Sequence, residues 1–366
     1  MPYLRNPCLN APMLPVDVVL HPSWWHRHAG ITFDEDFFFH PARRVEAERQ
    51  MEGVLYERWG RYGLGADRGR DLPQLGAGHL AAGYLISAML GCGLKFFDDA
   101  SPQVVPADLD RLDISAEAAF ASPAFRKYEA LLAALRGRFG YVTGDVGWGG
   151  VLNTALDLRG QQFLMDMIDV PDEASRFVAD VAAVIRRFVE QMAEATGSSS
   201  ISVNRNVRNI PQPVYLHSEC SNVMISTALY ERFFLPVDAE WSRRLRPFGI
   251  HHCGADPHRF APSYAKLPHL DFLDVGWGGD VALLRRHLPR TFLNLRLSPV
   301  DIARQTPEQI RQTVRRLVGQ SGNPWLTGVC CINMDEQVSD EQVAAIFDEV
   351  QCLRTEYSAA EQKGRI

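Results

Sequence analysis

Apolar and polar positions follow two alternating patterns along this chain. Beyond residue 140, short apolar runs take turns with stretches whose apolar residues recur at helical spacing. The first pattern belongs to buried strands, the second to helices packed by one face. "RFGYVTGDVGW" (138–148) reads as a strand, and "DEASRFVADVAAVIRRFVEQMAEATG" as a long helix stopping at Gly197. "PVYLHSEC", "GIHHCG", "HLDFLDVG", "TFLNLRL" and "NPWLTGVCC" follow as strands. Between them "TALYERFFLPVDAEWSRRLRPFG", "DPHRFAPSYAKL", "DVALLRRHLP" and "TPEQIRQTVRRLVGQSG" read as helices, and "SDEQVAAIFDEVQCLRTEYS" closes the series. Repeated strand–helix units predict an α/β fold with a parallel sheet. So many units favour a closed (β/α)8 TIM barrel. The alternative, an open doubly wound sheet, would usually carry a glycine-rich phosphate loop after its first strand, and the chain has neither a GxGxxG nor a Walker pattern. Residues 1–70 read as an N-terminal helical cap of the same domain, and 71–366 as the barrel.

Composition narrows the class. With 366 residues, 46% hydrophobic and 22% charged, the chain has the make-up of a soluble globular protein. A net charge of −6 argues against nucleic acid as a partner. No apolar run is long enough to cross a bilayer. "MPYLRNPCLNAPMLPVDVVL" does not read as a signal peptide. Seven cysteines, an odd number in a long chain, point to a reducing cytoplasm rather than a disulfide framework. Association into a homo-oligomer is left open.

The chemistry concentrates at predicted strand ends. In "GIHHCG", strand alternation puts His251 and Cys253 on one face and His252 on the other. An imidazole and a thiol at the C-terminal end of a barrel strand are two soft ligands aimed at the mouth, as zinc prefers. A third ligand is available from the last strand, where Cys330 and Cys331 occupy opposite faces, so only one reaches the mouth. His217 and Glu219 share a face of "YLHSEC", and Glu219 is a candidate labile ligand or an acceptor orienting His251. His252 and Cys220 read as packing residues. "DVGWGG" occurs twice, at 145–150 and 274–279. Each copy ends a predicted strand, so Trp148 and Trp277 become candidate ligand walls and Gly278 a close-approach turn. Asp145 and Asp274 would accept N–H groups of those turns. His79 and Tyr84 are weaker candidates for ligand contact.

These motifs carry a family resemblance. "WWHRHAG", "LISAMLGCGLKFFDDASPQVV", "CSNVMISTALYERFFLPVDAEW", "IHHCG" and "LNLRLSPVDIARQTPEQIRQTVRRLV" occur in the order of corresponding segments in the uroporphyrinogen decarboxylase superfamily. "HHCG" is similar to the H-x-C-G of its zinc-dependent cobalamin (corrinoid) methyltransferases. The resemblance spans about residues 20–350. It implies a barrel with its site at the strand C-termini, and zinc held by His251, Cys253 and a distal cysteine. Strand phase selects Cys330 for the latter, and counting back from the following helix selects Cys331. It also implies a role for Arg27, in the motif that lines the site, in holding a substrate carboxylate or phosphate.

Decarboxylases of the family carry a second arginine and an aspartate. Here those positions are Ile31 and either Ala82 or Gly83, which disfavours porphyrinogen decarboxylation. The resemblance therefore implies methyl exchange between a corrinoid and a small-molecule donor or acceptor: a thiol, methyl ether, methylamine or tetrahydrofolate. The chain lacks the Asp-x-His-x-x-Gly signature of a cobalamin-binding domain, so the corrinoid would ride on a partner protein. The alternatives are a lyase acting on an acidic ring compound and a non-catalytic zinc- or corrinoid-handling protein.

Overall fold

A computed structural model describes residues 3–76, 79–80, 83–143, 149–197, 210 and 212–362. Its strands are β1 (Val16–Leu20), β2 (Gly93–Lys95), β3 (Gln103–Val105), β4 (Tyr215–Glu219), β5 (Phe248–His252), β6 (Phe272–Val275), β7 (Phe292–Leu297) and β8 (Thr327–Met334). Six of them form one curled parallel sheet in the order β1-β8-β7-β6-β5-β4, while β2 and β3 make a separate antiparallel hairpin. The spatial order follows the chain order except that β1 lies against the last strand. That is the arrangement of a barrel wall.

The expected eight-strand closure is not what the described residues contain. Between β4 and β1 they hold a lone parallel bridge, Gln74 with Thr143. Thr143 belongs to the predicted strand 138–148, whose residues 144–148 lie outside the described part. A second difference concerns the segment 1–70. It is largely helical, but "VDVVL" supplies β1 and is an integral part of the sheet. Five residues, four of them buried, are a strand too short for the surrounding helical pattern to reveal.

Elsewhere the two patterns resolve as expected. The helix Pro171–Thr196 starts on Pro171, carries Asp172 and Glu173 in its first turn and stops at Gly197 in the left-handed conformation. Its buried face, including Phe177, Val181, Ile185 and Phe188, packs in the same core as Ile250 and Leu273. The helix Pro307–Ser321 opens with a Thr306–Gln309 capping box and ends at Gly322. The single helix expected over 227–249 divides into Thr227–Phe233 and Leu235–Arg244. Pro236 has no N–H to donate, so the second helix starts there instead of continuing the first. Among the described residues no helix is long and apolar enough to cross a membrane.

Register fixes which residues share the sheet's inner face. Leu216 lies beside Gly249, Ser218 beside His251, His251 beside Asp274, Asp274 beside Asn294, and Arg296 beside Cys330. The inner floor is apolar: Phe272 and Phe292 stack with ring centroids 5.3 Å apart, under Leu216 and Gly249. Above that floor, toward the strand C-termini, the face becomes polar.

Candidate metal centre and its surroundings

His251 and Asp274 are neighbours in the β5–β6 register, and His251 Nδ1 is hydrogen-bonded to Asp274 Oδ2. A carboxylate only accepts, so Nδ1 carries the proton. Asn294 Nδ2 donates to the other Asp274 oxygen at 3.1 Å and holds the carboxylate in place. One residue past β5, Cys253 joins His251. Cys220, one residue past β4, completes a group whose ligand atoms all lie within 4.8 Å of one another. Ser218 Oγ sits 3.4 Å from the Cys220 sulfur, on the same face.

The two thiols are unequal. The hydrogen bond from Cys220 is the main influence holding Cys253 far below the usual thiol range, with His251 and Arg296 adding to it against the effect of burial. The same bond pushes Cys220 up. Arg296 Nη1 is 3.4 Å from His251 Nε2, and its guanidinium carries positive charge beside Cys253 and Cys330. The Trp277 ring lies over that guanidinium at 5.4 Å and is half-buried at the rim.

The glycine motif has a steric reason. A Cβ on Gly276 would overlap the Gly254 carbonyl oxygen, so this glycine lets the turn after β6 lie against the turn that follows Cys253. Gly278 is exposed at φ +77°, a left-handed turn position. In the first copy, Gly150 similarly lies against the Ser218 carbonyl. Asp145 and Trp148 lie outside the described residues.

Several expectations change. Glu219 does not face His251. It pairs in register with His252 and, like it, points to the helix side. There it is fully buried with His217 and Asp238, its Oε1 3.2 Å from His217 Nε2. Burial pushes its carboxyl up to about 8. His217 Nδ1 donates to Asp238 at 2.6 Å while its Nε2 accepts from the Val151 N–H, so both ring nitrogens are engaged. His252 is likewise a packing residue: Tyr264 holds its Nδ1 at 2.7 Å, and burial drives it down to about 3. Cys220, taken from sequence as packing, is the thiol that reaches the centre.

Of the β8 cysteines, Cys330 faces inward and accepts from Asn294 at 3.1 Å, whereas Cys331 faces the helices with its sulfur 3.6 Å from the Leu297 carbonyl. Neither belongs to the converging group: Cys331 is on the far face, and beside Cys330 in register stands Arg296, whose charge acts on both Cys330 and Cys253. Arg27 is exposed on the helix Pro22–Ala29, where its charge acts on Glu336. His79 is buried between Glu48 and Glu52 of the helix Pro41–Trp59, and Tyr84 packs on Phe38 and Phe39.

Sequence reasoning missed Cys220, Asp274 as the partner of His251, and Arg296. One signal for Cys220 was available. Val214 and Leu216 mark one strand face by their hydrophobicity, and Ser218 and Cys220 are in phase with them.

The sequence matches no protein-family model and no curated protein. Among solved structures the chain is similar to a methyltransferase from Methanosarcina mazei, at 13% identity and a TM-score of 0.66, with 94% of each chain covered. It is also similar to a B12-independent methionine synthase from Shewanella sp. W3-18-1 in complex with selenomethionine. That match has 10% identity and a TM-score of 0.50, covering 95% of this chain and 100% of the other. At such identities the likeness is one of fold.

Proposed function

From the fold of the uroporphyrinogen decarboxylase and methyltransferase superfamily, which this chain has, we propose that it is a methyltransferase. It exchanges a methyl group between a small molecule and a corrinoid carried by a partner protein. The observation that carries this reading is the convergence of Cys220, His251 and Cys253 at the strand ends, with Asp274 behind the imidazole.

This donor set fits zinc. Two sulfurs and one imidazole are donors zinc takes, and three protein ligands leave a position for substrate. A carboxylate on the far nitrogen is the usual companion of a zinc-bound histidine. Cys220, His251 and Cys253 would hold the ion. When bound, zinc supplies Lewis acidity to the heteroatom that gives or takes the methyl group.

The remaining work falls to the chain itself. Asp274 fixes the His251 tautomer, and Asn294 fixes Asp274. Arg296 places a buried positive charge beside Cys253, which favours the ionised sulfur. Trp277 offers a flat apolar wall at the rim. The floor of Leu216, Phe272 and Phe292 is buried and excludes water from below. Thiols at the working centre suit a reducing, cytoplasmic setting.

The test combines metal analysis with a spectroscopic assay. The purified protein should hold about one zinc per chain. It should convert methylcobalamin to cob(I)alamin, or the reverse, with one member of a panel of thiols, methyl ethers, methylamines and tetrahydrofolate. Chelation should abolish the change and zinc restore it. Carbon dioxide release from a porphyrinogen, with no corrinoid response to any panel member, would overturn the reading.

A further inference from the structure

We propose that Cys220 and Cys253 are the two halves of a reversible disulfide, so that mild oxidation closes the centre. The β4–β5 ladder runs in register to the pair Glu219–His252. Cys220 and Cys253 are the next residues along the two strands. Adjacent strands stand about 4.7–4.9 Å apart, inside the roughly 4.4–6.8 Å spanned by the Cα atoms of disulfides. The two sulfurs lie within 4.8 Å of each other. Both residues are half-buried, whereas Cys92, Cys330 and Cys331 are buried. Both also sit where regular pairing ends: Cys220 opens the short turn Cys220–Met224, and Cys253 precedes Gly254 at φ +91°. Small backbone adjustments are therefore available without disturbing the ladder.

The reaction balances with a peroxide as oxidant. The Cys253 sulfur, flanked by Arg296, attacks one oxygen of hydrogen peroxide. The O–O bond breaks, one water leaves and a sulfenic acid forms. The Cys220 sulfur then attacks the sulfenic sulfur, the S–O bond breaks and a second water leaves. Two thiols lose two electrons and two protons, and the peroxide becomes two waters. A dithiol reductant reverses the step by exchange. The consequence for methyl transfer rests on the reading above, since the disulfide removes two of the three donors. The disulfide itself does not depend on that reading.

The experiment uses the full chain, reduced and chelator-treated, with and without added zinc. Stoichiometric hydrogen peroxide should remove about two thiols per chain and lower the mass by about two hydrogens. Non-reducing peptide mapping should show Cys220 linked to Cys253, and dithiothreitol should restore both thiols. In Cys220→Ser the disulfide should be absent, and a dimedone adduct should appear on Cys253 instead. Added zinc should slow the wild-type reaction at least several-fold. No zinc effect alongside a normal 220–253 disulfide would sink the metal assignment and leave this proposal standing. Loss confined to Cys8 or Cys352, or a disulfide joining any other pair, would overturn it.

Discussion

Ser218, not Glu219, stands beside His251 in the sheet. In a strand, a shift of one residue exchanges every side chain between faces. That single register decision sends Cys220 to the centre and Glu219 to the helix side. It also determines which substitutions should matter.

Zinc content should separate the cysteines. Cys253→Ala and Cys220→Ala each remove a sulfur from the converging group and should lose stoichiometric zinc by elemental analysis. Cys331→Ala, on the far face, should retain it, as should His252→Ala in whatever fraction folds. Equal retention by Cys220→Ala and Cys331→Ala would remove Cys220 from the ligand set.

Asp274→Asn should keep a hydrogen-bond acceptor but lose the charge behind His251. Zinc affinity, measured by competition with a chromogenic chelator, should fall by about 10–100-fold. Far-ultraviolet circular dichroism should stay unchanged, since the side chain acts on His251 rather than on the sheet's backbone ladder. An unchanged affinity would mean that His251 is not a ligand through Nε2.

Gly276→Ala should disturb the centre from outside it. The added methyl meets the Gly254 carbonyl oxygen and must push the turn that follows Cys253. Overpacking of this kind costs about 1–3 kcal/mol, readable by urea denaturation. Zinc affinity should fall with it. Gly278→Ala adds a methyl into open space, and its cost comes from the left-handed backbone alone. It should therefore leave zinc affinity closer to wild type.

Asp157 gives a pH test remote from the centre. Burial raises its carboxyl above the usual range, against the bond from Ser87 Oγ at 2.6 Å. A carboxyl raised in the folded state binds more protons there than in the unfolded chain. Its favourable contribution is complete below the unfolded value and is lost as pH rises through the folded one. Asp157→Asn keeps an acceptor for Ser87 and removes the titration. Denaturation midpoints of the variant should therefore gain on wild type as pH rises from about 4 to 7. A constant difference across that range would reject the raised carboxyl.

The strand–helix alternation was plain because β6 to β8 are largely apolar runs and β4 and β5 are short segments bounded by proline or glycine. His251 and Cys253 were legible as a same-face pair from strand alternation alone. What stayed hidden depends on neighbours. In β4 the polar His217 and Glu219 are buried on the helix side, so polarity in the sequence pointed the wrong face toward the mouth. The partnership of His251 with Asp274 and the intrusion of Arg296 arise between strands distant in sequence, through register. The break before Pro236 was readable, but the helical periodicity continues across it and masks it.

The pairing of β1 with β8 has a consequence for how the chain reaches this state. Among the described residues Val16 pairs with Val329, so a strand made early has its ladder partner near the other end of the chain. Until then "VDVVL" waits for β8, while the β4–β7 ladder can form behind it strand by strand. Contacts so distant in sequence slow folding and leave an exposed edge in the meantime. Nascent chains truncated before residue 327 should lean on a chaperone at that segment, and release should coincide with synthesis of β8.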